Sequence, residues 1–423
     1  MKQNKEKISP WKTRFGLLLV LVLMVIHYTF KWFGKLQGAE FYAILMLLLL
    51  GVFGLLFVNI KAVGDLIGSL IGRIKKIESS GKSVDFDPIE KGTPSEASNT
   101  PKIIKNDDFG SKDSSGENYA TKDLASLKAL AKNNDPKAQH QIGRRYYYGY
   151  GVEQDYQKAF GLFKKLAEQG DAKAQCNLGI LYINGHGVEQ DYQEAVKWYR
   201  KSAEQHYAVA QYSLGLSYKK GYGVKQDYQE AVKWYKKSAE QGDSAAQYSL
   251  GLCYNEGYGV KQDYQEAVKW YKKSAEQGDS AAQYNLGFCY IKGCGVKHNF
   301  QEAVKWYRKS AEQGLVVAQY CLGLCYNKGY GVEQDYQEAV KWYRKSAEQG
   351  DSAAQYNLGG CYYNGQGVLK SWVLAHMWIN LSGDGGKFLE DLEKMMTKEQ
   401  VTDAHDRALR WTDKKENEGA AKS

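Results

Sequence analysis

An internal repeat with an unbroken period of 36 residues limits the folds open to this chain. Seven copies run from Asp135 to Gly386, over residues 135–170, 171–206, 207–242, 243–278, 279–314, 315–350 and 351–386. In each copy we number the residues as places 1 to 36. Repetition at such a period indicates stacked supersecondary units, each of which can bury its apolar side only against a neighbour.

The first part of each copy predicts a helix, which we name helix A. In the fourth copy Ala246, Leu250 and Tyr254 stand at places 4, 8 and 12, on one helical face. Asp243, at place 1, can accept hydrogen bonds from the free amides of a first helical turn.

The second part of each copy predicts another helix, helix B. Gly257 and Gly259 break helix A, because a tight turn needs backbone angles that glycine adopts at low cost. Asp263, followed three residues later by Glu266, is a capping-box pattern that opens helix B. Gly278 then ends it as a C-terminal cap. We therefore expect an all-α fold in which helices A and B alternate.

The residues of this pattern also carry a family resemblance. The motif AQYxLGxxYxxGxGVxxDYxxAxxWYxxSAEQG, from Ala246 to Gly278, resembles the Sel-one-like repeat (SLR), a relative of the tetratricopeptide repeat. The resemblance covers residues 135–386 and implies a right-handed superhelical α/α solenoid that holds other proteins. It implies no reaction, no catalytic residue and no cofactor. Near-identical tandem copies look like those of bacterial members of the family.

The two ends of the array need covers. Residues 121–134 predict an N-terminal capping helix, with leucines on one face. In the last copy helix B, from Trp372 to Leu381, is far more apolar than in the other copies. Residues 387–411 predict two short C-terminal capping helices over it, the second opened by a capping box at Thr397 to Gln400, and residues 412–423 form a tail. The run MTKEQ also resembles an ending often seen on arrays of this family.

Two long apolar runs lie near the start of the chain, at residues 15–33 and 41–60. The second is about 20 residues without a charge, which is roughly the length that spans a bilayer core. Lys and Arg flank the pair on both outer sides, and the positive-inside bias places both ends in the cytoplasm. The sequence therefore predicts a multi-pass protein of a bacterial inner membrane, with a basic cytoplasmic tail at 1–14 and cytoplasmic repeats. A cleaved signal peptide is the alternative.

Two further segments join this anchor to the repeats. Residues 61–78 predict an amphipathic helix in which Gly64, Gly68 and Gly72 recur every fourth residue, a spacing that allows two copies to associate closely. The alternative is a plain extension of the second span with incidental glycines. Residues 79–120 hold three of the five prolines and few apolar groups, which predicts a disordered linker.

The charge distribution argues against a nucleic-acid partner. The chain has a net charge of +9, but residues 1–82 carry 12 Lys and Arg against 4 Asp and Glu, and the remaining residues carry 45 against 44. The basic character therefore belongs to the predicted membrane end, and the repeats offer no net positive field for a phosphate backbone.

The candidate binding surface is the part of helix A that changes from copy to copy. Places 7, 10 and 14, together with place 3, vary most and fall on one face, roughly 140° from the apolar stripe. In relatives of the family helix A lines the concave surface, so this face would bind a protein or peptide partner. A plain solvated surface, free to vary, is the alternative. The candidate residues are Asn177, Ser213, Leu216, Lys220, Ser249, Leu252, Glu256, Asn285, Phe288, Lys292, Leu324, Lys328 and Asn357.

No metal site, cofactor site or catalytic residue is predicted. The seven cysteines are an odd number without paired spacing, which argues against a disulfide framework and agrees with a reducing compartment. Cys289, Cys294 and His298 offer three ligand atoms near one turn, but simple packing is favoured over zinc because no fourth ligand is in view. The remaining histidines share no repeat place and form no HExxH motif.

The function that follows is a membrane-anchored scaffold that recruits a partner protein or peptide. One alternative is a repeat domain outside the cytoplasm that engages cell-wall or host components. A second comes from the family: cysteine-rich secreted members cross-link their helix pairs, and some have been described as binding or hydrolysing β-lactams. This chain lacks a regular cysteine pair in each copy.

Overall fold

The computed structural model describes residues 122–420, and every regular element within them is an α-helix. An initial helix, α1, covers Leu124–Lys132. Helix A of the seven copies is α2 (Pro136–Tyr148), α4 (Ala172–Asn184), α6 (Ala208–Lys220), α8 (Ser244–Glu256), α10 (Ser280–Lys292), α12 (Val316–Lys328) and α14 (Ser352–Asn364). Helix B is α3 (Tyr156–Glu168), α5 (Tyr192–Glu204), α7 (Tyr228–Glu240), α9 (Tyr264–Glu276), α11 (Phe300–Glu312), α13 (Tyr336–Glu348) and α15 (Trp372–Ser382). Helices α16 (Gly386–Glu393) and α17 (Lys398–Ala420) follow.

Each helix A packs against helix B of its own copy, and from the second copy on it also packs against helix B of the copy before it. The helix pairs therefore stack one on the next, which confirms the predicted all-α solenoid for residues 122–420. The hand of its superhelix stays a prediction.

Aspartate caps open both helices of the reference copy. The Asp243 carboxylate accepts from the amide of Ala246 at 2.7 Å, and the Asp263 carboxylate accepts from the amide of Glu266 at 3.0 Å. The second half of the predicted capping box is not made, because the amide of Asp263 donates to the Tyr254 carbonyl at 2.9 Å and Glu266 pairs with Lys269 at 3.1 Å. The Asp263 amide thus links the start of helix B to helix A.

A glycine at place 9 lets the two helices of each copy approach closely. A Cβ atom on Gly251 would lie 2.6 Å from the ring of Tyr271, which is 1% exposed. Any larger residue would push the helices apart, so this glycine and the large side chain at place 29 work as one packing unit. The equivalent pairs are Gly143–Phe163, Gly179–Tyr199, Gly215–Tyr235, Gly287–Tyr307, Gly323–Tyr343 and Gly359–Ile379.

Buried glutamines join successive copies. The Gln247 amide donates to the Ala239 carbonyl of the preceding helix B at 3.1 Å, and its oxygen accepts from Gln277 of its own helix B at 2.7 Å. Buried polar atoms need such partners, since each unmet hydrogen bond costs about 1–3 kcal/mol. The same two bonds recur in copies 2 to 6, centred on Gln175, Gln211, Gln247, Gln283 and Gln319.

The two ends are covered by different elements. At the start, Gln139 donates to the carbonyl of Ala131 in α1 at 3.1 Å, so α1 stands where a preceding helix B would be. At the other end, Trp378 of α15 meets Trp411 of α17 edge to face, with ring centres 6.0 Å apart. The capping box at Thr397 and Gln400 is complete in both directions.

The predicted localisation, a multi-pass membrane protein with cytoplasmic repeats, is wrong for the part of the chain that the structure describes. None of the helices within residues 122–420 is long and apolar enough to cross a membrane. A 13-residue helix such as α8 rises only about 20 Å, against a hydrocarbon core of about 30 Å. The predicted elements at 1–14, 15–33, 41–60, 61–78 and 79–120, with Gly64, Gly68 and Gly72, lie outside the described residues.

Candidate binding surface on helix A

Three of the residues predicted at place 7, namely Asn177, Asn285 and Asn357, fasten neighbouring copies to each other. The Asn285 amide donates to the Tyr248 hydroxyl of the preceding helix A at 3.4 Å and to the Ala281 carbonyl at 3.0 Å. The Asn177 amide lies 2.9 Å from Nε2 of His140 in the same relation. Asn177, Ser213, Ser249 and Asn285 are buried, and Asn357 is half-buried.

The residues predicted at place 10 form an apolar row that becomes more accessible along the array. Leu216 and Leu252 are only 4% and 6% exposed. Phe288 and Leu324, one and two copies further on, are half-buried. Within this row, the apolar side chains that a partner can reach therefore lie in the fifth and sixth copies.

Charged side chains stand one turn beyond this row. Lys220, Glu256, Lys292 and Lys328, at place 14, are all exposed. Residues four apart share a helix face, so Lys292 lies beside Phe288 and Lys328 beside Leu324. We name these four residues, Phe288, Lys292, Leu324 and Lys328, the A-face patch. The sequence prediction placed them together with buried residues, because a helical wheel does not show how closely the neighbouring helix A approaches.

The cysteines lie mostly in the interior of the stack. All seven fall within the described residues, no disulfide joins them, and six are buried. Burial raises the pKa of the Cys289 and Cys325 thiols to about 12 and that of Cys361 to about 11. These three thiols are therefore protonated near neutral pH, a state in which cysteine is a poor nucleophile and a poor metal ligand.

The three candidate zinc ligands in the fifth copy, Cys289, Cys294 and His298, do not share one environment. Cys289 is buried, Cys294 is half-buried, and the exposed His298 packs edge-on against Phe300 with ring centres 4.3 Å apart. Within residues 122–420 a different set gathers its ligand atoms, namely His376, Glu393 and His405. Sequence reasoning missed this set because the two histidines occupy unrelated positions. One signal in the sequence could have found it: His376 stands at place 26, where copies 2 to 6 all have valine.

A cavity of about 520 Å³ opens at the start of the array, between α1, α2 and α3. Its floor includes Ile142 and Leu162, and its rim carries Lys128, Lys132 and Lys165. Leu162 is at place 28, where copies 2 to 6 have tryptophan. The first copy thus lacks the bulky ring that the interior copies have at this place.

A stack of seven helix pairs with a variable helix A face defines the class of α/α helical-repeat proteins. The family model described as Sel1 repeat matches residues 136–171, 172–207, 208–243, 244–279, 280–315, 316–351 and 352–387. The chain belongs to the Sel1 repeat family, which confirms the predicted resemblance. Members are generally scaffolds for protein interaction.

Several solved structures are similar to this chain. A Sel1 repeat protein from Oxalobacter formigenes is 37% identical, with a TM-score of 0.52 over 58% of this chain and 96% of that one. A protective antigen with an SLR fold, c5321 of uropathogenic Escherichia coli, is 31% identical over 71% of this chain and 89% of its own, with a TM-score of 0.29. The immunity protein Pa5087 of Pseudomonas aeruginosa is 23% identical over 50% of this chain and 81% of its own, with a TM-score of 0.34. No curated protein matches the sequence.

Proposed function

We propose that this protein is a scaffold that binds a partner protein or peptide through the A-face patch. The observation that carries the proposal is the pairing of a half-buried apolar side chain with an exposed lysine one turn on, repeated in the fifth and sixth copies as Phe288 with Lys292 and Leu324 with Lys328. Membership of a family of protein-interaction scaffolds supports it.

The chemistry of the patch favours a partner segment that carries apolar side chains beside carboxylates. Covering about 50–100 Å² of apolar surface on Phe288 or Leu324 would contribute roughly 1–3 kcal/mol to binding. The lysines would add mainly orientation and association rate, because exposed ion pairs are each worth about 1 kcal/mol or less. We therefore expect apolar contacts to supply most of the affinity.

The other candidate residues have different roles in the proposed scaffold. Lys220 and Glu256 are exposed and extend the same face toward the first copies. At place 7, Asn177, Asn285 and Asn357 bond to the preceding helix A and would thereby set the spacing between the binding residues. Ser213 and Ser249 are buried at the same place. Leu216 and Leu252 belong to the packed part of the row.

The test compares two double charge reversals in the full-length chain. Lys292→Glu with Lys328→Glu alters the A-face patch, whereas Lys236→Glu with Lys272→Glu makes the same charge change on helix B, where both lysines are 57% exposed. After affinity capture, each recovered partner is purified and titrated against both variants. We expect the patch variant to bind at least about tenfold more weakly, by roughly 1.4 kcal/mol, and the helix B variant to bind as the unaltered protein does.

A third variant separates charge from apolar contact. Phe288→Ala with Leu324→Ala should weaken binding more than the lysine reversals do, while the helical circular dichroism and the melting temperature stay close to those of the unaltered protein. A purified partner that binds all of these variants with equal affinity would show that the A-face patch is not the binding surface.

A further inference from the structure

The last copy differs from the others at one buried position. His376, in the middle of the apolar helix α15, has a fully buried side chain. It stands at place 26, where copies 2 to 6 have Val196, Val232, Val268, Val304 and Val340, and where the first copy has Phe160. Burying an imidazole where the array otherwise uses an apolar residue is unfavourable unless its nitrogens find partners.

Two helices of the C-terminal cap supply polar groups to this imidazole. Glu393, at the end of α16, places Oε1 2.8 Å from Nε2 of His376. His405, in α17, meets His376 with ring centres 4.9 Å apart at an angle of 66°. One ligand atom from each of the three residues lies within 4.8 Å of the other two.

The hydrogen bond to Glu393 engages Nε2 of the buried ring, whereas Nδ1, on the other side, has no hydrogen-bond partner among the described residues. Nε2 is therefore the atom that His376 would offer to an ion shared with Glu393. His405 takes no part in the bond to Glu393, yet its exposed ring lies against the ring of His376. The convergence of all three side chains needs a further reason.

We propose that His376, Glu393 and His405 bind a divalent transition-metal ion, with Zn²⁺ the best match. Two imidazoles and one carboxylate suit zinc, whereas magnesium and calcium prefer oxygen ligands alone. Zinc bonds of about 2.1 Å in a tetrahedron set the ligand atoms about 3.4 Å apart. The present separations, from 2.8 Å to at most 4.8 Å, bracket that value.

The exposure of two of the three ligands allows the small movements that bring the ligand atoms to zinc-binding distances. His376 is fixed by the packing of α15, while the Glu393 side chain is 43% exposed and His405 is also exposed. The two outer ligands can therefore move toward the buried one. The fourth position of the ion would be taken by water or by a group from a partner.

The bound ion would link three separate helices. His376 belongs to α15, Glu393 to α16 and His405 to α17, so a single ion would hold the cap against the last copy. Within residues 122–420, these ligand atoms gather only at this end of the array. Copies 2 to 6 have valine at place 26 and are followed by another helix pair instead of the cap.

The experiment uses the full-length protein after treatment with a chelator and measures Zn²⁺ binding by isothermal titration calorimetry. His405→Ala and Glu393→Gln alter the two exposed ligands, so neither should disturb folding. His298→Ala is the matched control, because His298 is exposed and lies in the fifth copy. We expect one Zn²⁺ per chain, affinity reduced at least about tenfold in the two ligand variants, and no change in the control.

A second readout separates this site from binding by thiols. Co²⁺ bound to two imidazoles and a carboxylate lacks the near-ultraviolet thiolate charge-transfer band that a cysteine ligand would give. At the same free Zn²⁺ concentration, Zn²⁺ should also raise the melting temperature of the unaltered protein more than that of His405→Ala, because stabilisation by binding to the folded state grows with affinity. Failure to bind Zn²⁺ stoichiometrically, equal affinity in His405→Ala, or a thiolate band with Co²⁺ would each overturn the proposal.

Discussion

The interior copies and the seventh copy bury the same face of helix B in different ways. In copies 2 to 6 the next helix pair covers this face, and place 26 is always valine. In the seventh copy α16 and α17 cover it, and place 26 is His376, bonded to Glu393. A helix B that packs against the same kind of helix pair in every copy needs the same buried residue. The helix B that packs against the cap can carry a different one. New chemistry can therefore enter this array most easily at its ends.

The first copy supports the same conclusion. Its preceding neighbour is α1 rather than a full helix pair, and Leu162 replaces the tryptophan of the interior copies beside a cavity of about 520 Å³. Gln139 keeps its bond to the preceding helix, but its side-chain oxygen is buried without a hydrogen-bond partner among the described residues. The interior copies satisfy the same atom.

The largest effect is expected from the packing unit of an interior copy. Tyr271→Ala should lower the free energy of unfolding by about 3–5 kcal/mol, because it opens a cavity beside Gly251 that the helices cannot close. Tyr271→Phe is the control: the Tyr271 hydroxyl is buried without a hydrogen-bond partner in the described part of the chain, so losing it should cost almost nothing. Urea unfolding followed by circular dichroism measures both. Equal losses in the two variants would contradict this account of the packing.

A smaller effect should distinguish an interior glutamine from the one at the start of the array. Gln247→Leu removes two buried hydrogen bonds and should cost about 1–3 kcal/mol. Gln139→Leu removes only the bond to Ala131 and should cost about 1 kcal/mol or less. The same urea titrations measure the difference. If Gln139→Leu proved as costly as Gln247→Leu, the contrast between interior and end would not hold.

The smallest effect is expected when the seventh copy is made to resemble an interior one. With a chelator present, His376→Val removes the buried Nδ1, which has no partner, and also the hydrogen bond between Nε2 and Glu393. These losses oppose each other, and the Glu393 side chain is 43% exposed and can bond to water instead, so the free energy of unfolding should change by no more than about 1 kcal/mol.

The reverse exchange, Val268→His, is the matched control. It places an imidazole where neither Glu393 nor His405 is present and should cost about 1–3 kcal/mol. Thermal melts of both variants in chelator make the comparison. A strongly destabilised His376→Val would show that the histidine is needed for packing without any metal.

The local structure of each copy could be predicted from the sequence, and part of the site could not. Asp243 and Asp263 open helices as expected, because a cap depends on residues within one turn. Asn285 looked like a surface residue, yet it is buried against the preceding helix A. How near that helix comes depends on how successive helix pairs stack, which a helical wheel does not contain. Glu266 was expected to complete a capping box, but a lysine one turn on competes for it.

Residues close together in the chain account for the 36-residue period, the two helices in each copy, most of the side-chain caps and the glycines that end the helices, so these features could be predicted from the sequence. The packing of separate helices settles which helix A residues stay accessible, and it brings His376, Glu393 and His405 together. These outcomes depend on contacts between helices, and such contacts are set by how whole helix pairs stack rather than by any local run of residues.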